Sequence, residues 1–208
     1  WQGLLLLDLK TGKYNPPPFD CGKEIMNIFI DSQKRIWVAP YNGGLNCLTR
    51  DGKLLATYTT RNSSLSNNVV LSLAEREGQI WIGTDGGGIN ILDPETGQFS
   101  LLEHIPGRDN YSLPANSILC LYNDRNNNMW AGSIRNGLIS IREVSMKTYK
   151  DVLPGNDRGL SNSTVLSLFQ ESENRIWIGT DGGGINSFNP FTEKFAHYPS
   201  TWEDKVAS

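Results

Sequence analysis

Two aspartates, Asp85 and Asp181, each stand directly before three glycines, and their type and setting are the first hint of chemistry in this chain. A carboxylate at the mouth of a glycine-rich turn can bind a cation, accept a proton or receive sugar hydroxyls. Two such groups fall short of a calcium site, which takes about 6–8 oxygen ligands. Aspartate before glycine is also favoured in turns, where its side chain bonds the backbone, and that is the first reading of both. A phosphate loop is excluded, because no Lys-Ser/Thr follows the glycines and no helix pattern opens there. The bases available near neutral pH are His104 and His197, without HExxH, GxSxG or a paired histidine. Carboxylate pairs drawn from Asp85, Asp109, Asp157 and Asp181 leave lyase or glycosidase chemistry open. No residue is assigned as catalytic, no metal ligand is named and no cofactor is expected.

The elements that must position these groups are repeats. Ile36-Trp37-Val38-Ala39, Ile80-Trp81-Ile82-Gly83, Met129-Trp130-Ala131-Gly132 and Ile176-Trp177-Ile178-Gly179 are versions of one element, with tryptophans 44, 49 and 47 residues apart. Residues 81–90 and 177–186 both read WIGTDGGGIN. A period of about 40–50 residues holding several short strands indicates a propeller blade. In the second copy, runs at 69–74, 79–84, 89–92 and 98–102 are apolar or β-branched and are separated by Gly, Pro, Asn and Asp turns. No stretch keeps a helical period. The chain is therefore expected to be all-β, in four-stranded antiparallel blades.

Trp37, Trp81, Trp130 and Trp177 are expected at equivalent buried places in the second strand, filling the gap between blades. Inner strands at 25–29, 69–74, 118–122 and 165–169 are apolar on both faces, as in a blade held between neighbours. Each carries one small polar or polarizable residue (Asn27, Ser72, Cys120 and Ser167), read as packing near the axis. Blades are placed at about 20–60, 61–106, 107–153 and 154–200, with a half blade at 1–19 and the start of a connection at 201–208. Four and a half blades imply part of a larger propeller, whose missing blades would cover two bare edges.

The net charge of −3 gives no field for nucleic acid, and no run is long and apolar enough to span a membrane, so direct membrane contact is not expected. Cys21 and Cys47 are placed on the first and third strands of one blade, about 9–10 Å apart and too far for a disulfide. With Cys120 two blades away, three free and mostly buried thiols are expected.

Strand cores are nearly interchangeable between copies, whereas the turns after the tryptophans differ: Tyr41-Asn42, Asp85-Gly86, Arg135-Asn136 and Asp181-Gly182. The blade-to-blade connections on the same face differ as well, and one holds Arg108 and Tyr111. Variation confined to loops on a rigid scaffold marks a candidate ligand face comprising Tyr41, Asn42, Asp85, Arg135, Asn136, Asp181, Arg108 and Tyr111. Drift in unconstrained loops would give the same pattern.

The run Leu65-Ser66-Asn67-Asn68-Val69-Val70, then Ile80-Trp81-Ile82-Gly83-Thr84, Gly88-Ile89-Asn90 and Asp93-Pro94-Glu95-Thr96-Gly97 resembles the two-component regulator propeller repeat, and Leu160-Ser161-Asn162 through Asn189-Pro190 repeats it. The resemblance implies the periplasmic sensor region of a hybrid two-component histidine kinase of Bacteroidetes type, anchored in the inner membrane. It implies an oligosaccharide ligand, remaining blades and downstream domains of a parent chain as partners, and signalling to polysaccharide-utilisation genes. A homodimer is compatible with it. The parent could carry kinase activity in other domains, while this stretch is not itself expected to be an enzyme. A polysaccharide-active propeller enzyme and a protein-interaction scaffold stand as rival readings.

Overall fold

The computed structural model describes residues 3–17, 19, 21–106, 112–142 and 145–198, and every helix or strand among them is a β-strand. Four antiparallel sheets follow one another, each built in chain order from the inside outward. The first blade holds β3 (Ile25–Ile30), β4 (Ile36–Pro40), β5 (Leu45–Leu48) and β6 (Leu54–Tyr58). The second holds β7 (Val70–Arg76), β8 (Gln79–Thr84), β9 (Ile89–Leu92) and β10 (Phe99–Leu102). The third comprises β11 (Ile118–Asn123), β12 (Met129–Ser133), β13 (Leu138–Arg142) and β14 (Ser145–Tyr149). The fourth comprises β15 (Val165–Ser172), β16 (Arg175–Thr180), β17 (Gly184–Asn189) and β18 (Lys194–Tyr198). Ahead of them a short ribbon pairs β1 (Leu6–Leu7) with β2 (Tyr14–Asn15).

The cores lie between blades. Trp37 shares one apolar cluster with Leu73 and Leu92 of the second blade, Trp81 another with Ile118 and Ile139 of the third, and Trp130 a third with Leu160 and Phe188 of the fourth. Each tryptophan thus plugs the gap to the blade that follows. Trp177 packs against Tyr198 with the rings tilted at 51° and stays only half-buried, because no blade covers its outer side among the described residues. The inner strands pack in succession, β3 on β7, β7 on β11 and β11 on β15, with no comparable packing of β15 back on β3. One face of β3 and one of β15 therefore remain exposed, the bare faces expected of the first and last blades.

Three of the four small inner-strand residues share a task. Asn27 donates to the Leu71 carbonyl at 3.2 Å, Ser72 to that of Ile118 at 3.4 Å and Cys120 to that of Val165 at 3.8 Å. Each tie runs to the next inner strand. Burial pushes the Cys120 thiol up to about 12, so it stays protonated and unreactive. All three cysteines are free. Cys21 lies in the connection before β3 rather than in the first strand.

A carboxylate at the first hairpin of a blade fixes the indole. In the first blade the buried Asp31 accepts from the Trp37 Nε1 at 2.9 Å, the Arg35 Nε at 2.6 Å and the Arg35 amide at 2.8 Å. Asp124 accepts from Trp130 at 2.8 Å and from the amides of Asn126 and Asn128. Glu171 holds Trp177 at 3.2 Å. The second blade departs from this pattern. Trp81 pairs across with Ala74, seven residues earlier, whereas Trp37, Trp130 and Trp177 pair with Phe29, Tyr122 and Phe169, eight earlier. The hairpin is one residue shorter, turning on Glu77 and Gly78 at φ of 54° and 79°. Arg76 occupies the carboxylate position, Glu75 is drawn to Ser32, and the Trp81 Nε1 is buried without a partner.

Phenylalanine at Trp37 or Trp130 should therefore cost about 1 kcal/mol more than at Trp81, measured by urea unfolding, because only the first two take one donor away from a buried carboxylate. For Asp31, burial raises the carboxyl pKa, but the bonds from Trp37 and Arg35 outweigh it and hold the pKa below the ordinary aspartate value. A lowered folded pKa means its contribution is complete above the unfolded value of about 3.9 and is lost as pH falls through the folded one. Asp31→Ala should cost about 3 kcal/mol at pH 7. The mutant's deficit should shrink in unfolding titrations carried below pH 4.

Candidate functional site

The turn after each tryptophan strand is held in place by the stretch leading into an inner strand. The amides of Tyr41, Asp85, Ile134 and Asp181 donate to the carbonyls of Glu24, Val69, Ser117 and Thr164 of their own blades, at 2.8–3.1 Å. Three positions on, the amides of Gly44, Gly88 and Gly137 donate to Asn68, Asn116 and Ser163 at the entry to the next blade. These glycines have φ near 75°, and a Cβ on any of them would strike the carbonyl at the end of the outer strand. The turns thus form one continuous main-chain belt around a single face.

Buried asparagines brace the same face from beneath. Asn90 accepts from the Ser66 amide at 2.9 Å and donates to the Ser66 Oγ at 2.7 Å, and Asn186 does the same for Ser161 at 2.9 Å each. The third blade has Ile139 and Pro114 at these two positions and packs them apolarly, beside the buried Leu113. The bracing pairs were not singled out from the sequence, although the repeated Ser-Asn before the strand and the shared Asn90 and Asn186 carry the signal.

On this frame, Tyr41, Asn42, Asp85, Arg135 and Asp181 all stand exposed on the belt, Tyr41 at 58%. Asp85 has a structural bond too: Ser117 of the next blade donates to its carboxylate at 2.8 Å. The Asp181 carboxylate has no such partner among the described residues. Asn136 is half-buried and lines a cleft of about 530 Å³ with His104, Lys147 and Lys150, at the outer side of the third blade. Lys147 is shared with Glu193, to which it donates. Arg108 and Tyr111 fall outside the described residues. Asp157 lies in the connection between β14 and β15, against the outer strand β18, whose Lys194 ammonium donates to it at 2.7 Å and holds its carboxyl below the ordinary value.

The two histidines are tied to backbone. His104 Nδ1 lies 2.8 Å from the Leu113 carbonyl, and His197 Nε2 lies 2.8 Å from that of Gly159. His197 lies in the outer strand β18, and His104 just past β10, in the cleft that Asn136 also lines.

The second turn residue is left-handed in all four blades: Asn42 at φ 53°, Gly86 at 84°, Arg135 at 63° and Gly182 at 76°. Arginine adopts this conformation at a cost of about 1–2 kcal/mol. An exposed arginine in a place that glycine fills elsewhere is strained without a compensating bond from its guanidinium among the described residues. What the belt offers is a row of separated hydroxyl-matching groups: a flat phenol, an amide, two carboxylates and one guanidinium fork.

Three segments match the family model of the two component regulator propeller, at residues 64–86, 112–135 and 159–182. Each runs from just before a buried leucine (Leu65, Leu113 or Leu160) to the belt turn of the same blade. The extracellular domain of BT3049 from B. thetaiotaomicron, assigned to the hybrid two component systems, shares the fold at a TM-score of 0.78 and 22% identity over 96% of this chain. The chain spans 26% of that domain's length. The computationally designed Ika8 protein is similar over 90% of this chain and 53% of its own, at a TM-score of 0.59 and 17% identity. No curated protein matches.

Arg135→Gly should raise thermal stability, by up to about 1 kcal/mol, since it relieves the left-handed strain. Asn90→Ala should lower it by about 1–3 kcal/mol, by leaving the Ser66 amide without its acceptor. Calorimetric unfolding of the two variants checks both signs.

Proposed function

We propose, for a chain whose second, third and fourth blades carry two component regulator propeller repeats, that it is the ligand-sensing part of an extracytoplasmic receptor of the hybrid two-component type. The ligand is an oligosaccharide fragment, and the belt of turns is where it binds. One observation supports this reading: on a shared main-chain belt the second and fourth blades keep the same Asp-Gly tip, whereas the first carries Tyr41-Asn42 and the third Ile134-Arg135, with the arginine strained.

The tips suit a sugar chain. Tyr41 offers a flat ring to a pyranose face, and the Arg135 fork can bind a carboxylate or two adjacent hydroxyls. Asn42, Asp85 and Asp181 accept from hydroxyls at the first, second and fourth blades. A ligand that spans two tips touches two blades at once, so its binding energy acts on how the blades sit together. The proposed consequence is a signal to downstream domains of a parent chain, in the periplasm at the inner membrane, that ends in kinase activity and transcription of polysaccharide-utilisation genes. The reading is of binding without turnover: one ring nitrogen of each histidine is engaged with a backbone carbonyl, His104 Nδ1 with Leu113 and His197 Nε2 with Gly159.

Calorimetric titration against a panel of oligosaccharides tests the proposal. Tyr41→Ala and Arg135→Ala should each weaken the wild-type ligand by about 1–2 kcal/mol while leaving the fold intact. Unchanged affinity in both variants, or time-dependent cleavage of the glycan, contradicts it.

A further inference from the structure

We infer that the first hairpin of the second blade binds a carboxylate-bearing ligand between the Trp81 indole and the Arg76 guanidinium. The hairpin lies at the far end of β8 from the belt turn, so this site is separate from the proposed sugar face.

Two other blades show what such a pair holds. In the first, one oxygen of Asp31 accepts from the Trp37 Nε1 at 2.9 Å and from the Arg35 Nε at 2.6 Å, with the Arg35 Cζ 5.8 Å from the indole centroid. In the fourth, one oxygen of Glu171 accepts from the Trp177 Nε1 and the Arg175 Nη1 at 3.2 Å each, and the Arg175 Cζ is again 5.8 Å from the ring. A single carboxylate oxygen thus bridges indole and guanidinium at one spacing. In the third blade, which has no arginine here, an Asp124 oxygen bridges the Trp130 Nε1 and the Asn128 Nδ2 at 2.8 and 3.0 Å.

The second blade keeps both donors at that spacing without an acid of its own. The Arg76 Cζ stands 5.8 Å from the Trp81 centroid, reaching the ring from the place the carboxylate takes in the other blades. The Trp81 Nε1 and the Arg76 Nε are both buried without a hydrogen-bond partner, and Trp81 is 5% exposed. Arg76 forms no ion pair among the described residues. The acids on either side of it are engaged elsewhere. Glu75 accepts from the Ser32 amide at 2.7 Å and the Ser32 hydroxyl at 2.5 Å, and Glu77 accepts from Asn127 at 2.5 Å. Two buried donors are costly without an acceptor, and a carboxylate serves both while neutralising the guanidinium. The way in is from the Arg76 side, which is half-buried and flanked by the exposed Glu77 and Gln79.

Nitrogen–proton NMR of the indoles during a sodium acetate titration tests this, with sodium chloride holding ionic strength constant and Trp81→Phe assigning the peak. The Trp81 Nε1–H resonance should shift saturably with acetate, while those of Trp37 and Trp130, already bonded to carboxylates, stay fixed. Sodium glucuronate as a second probe separates the two sources of a carboxylate. Tighter binding than acetate assigns an acidic sugar, equal binding a small free acid, and either supports the site. Arg76→Gln, at a side chain with no bond to lose, should keep the circular dichroism melt measured in chloride and weaken acetate binding about tenfold or more. A Trp81 resonance that stays fixed up to about 100 mM acetate leaves both donors to water and overturns the proposal. A shift that chloride reproduces, or that Arg76→Gln leaves at the same midpoint, overturns it as well.

Discussion

Each blade is completed by the one after it. That constraint sets the rest of the structure: the tryptophan, the inner-strand donor and the belt amide of one blade all find their partners in the next. None of these contacts lies within a single sheet. A lone four-stranded sheet of this composition would expose an indole and two rows of aliphatic side chains, and its inner-strand donor would face water. Stability is thus a property of neighbours, as in other repeat architectures, and it falls away at whichever blade lacks one. The half-buried Trp177, against the 0% exposure of Trp37, is the direct measure of that loss.

Much of this could be read from the residues alone. The spacing of four tryptophans and the identical ten-residue stretches lead to blades, because strand runs and turn residues recur at one period. The glycine-rich turns were legible as tight turns, but the reason for Gly44, Gly88 and Gly137 is contact with the outer strand's last carbonyl, which no local pattern reveals. Asn27, Ser72 and Cys120 differ in size and chemistry, so their shared role as donors to the following strand was hidden until the strands were placed. Glu75 stands at the same spacing from Trp81 as Asp31 does from Trp37, and the sequence cannot show that a one-residue shorter hairpin turns it away.

The candidate ligand face was legible as variation and only partly as geometry. Aligning the copies on their tryptophans put Tyr41, Asp85 and Asp181 at one turn position and Asn42 and Arg135 at the next, and the belt holds them on one side. That Asp85 also takes a bond from Ser117 depends on the neighbouring blade's approach. That Asn136 turns toward an outer cleft depends on where the fourth strand of its blade ends. Both are facts of tertiary placement, so they had no counterpart in the spacing.

Amide hydrogen exchange resolved by residue tests the claim that each blade is completed by its successor most directly. The amides of Gly44, Gly88 and Gly137, which donate across to the next blade, should exchange slowly and in step with the inner strands. Gly184, the equivalent residue of the fourth blade, should exchange faster than all three by at least an order of magnitude. Equal protection at all four positions would contradict the account, because it would mean that the turn is held by its own sheet and needs no neighbour.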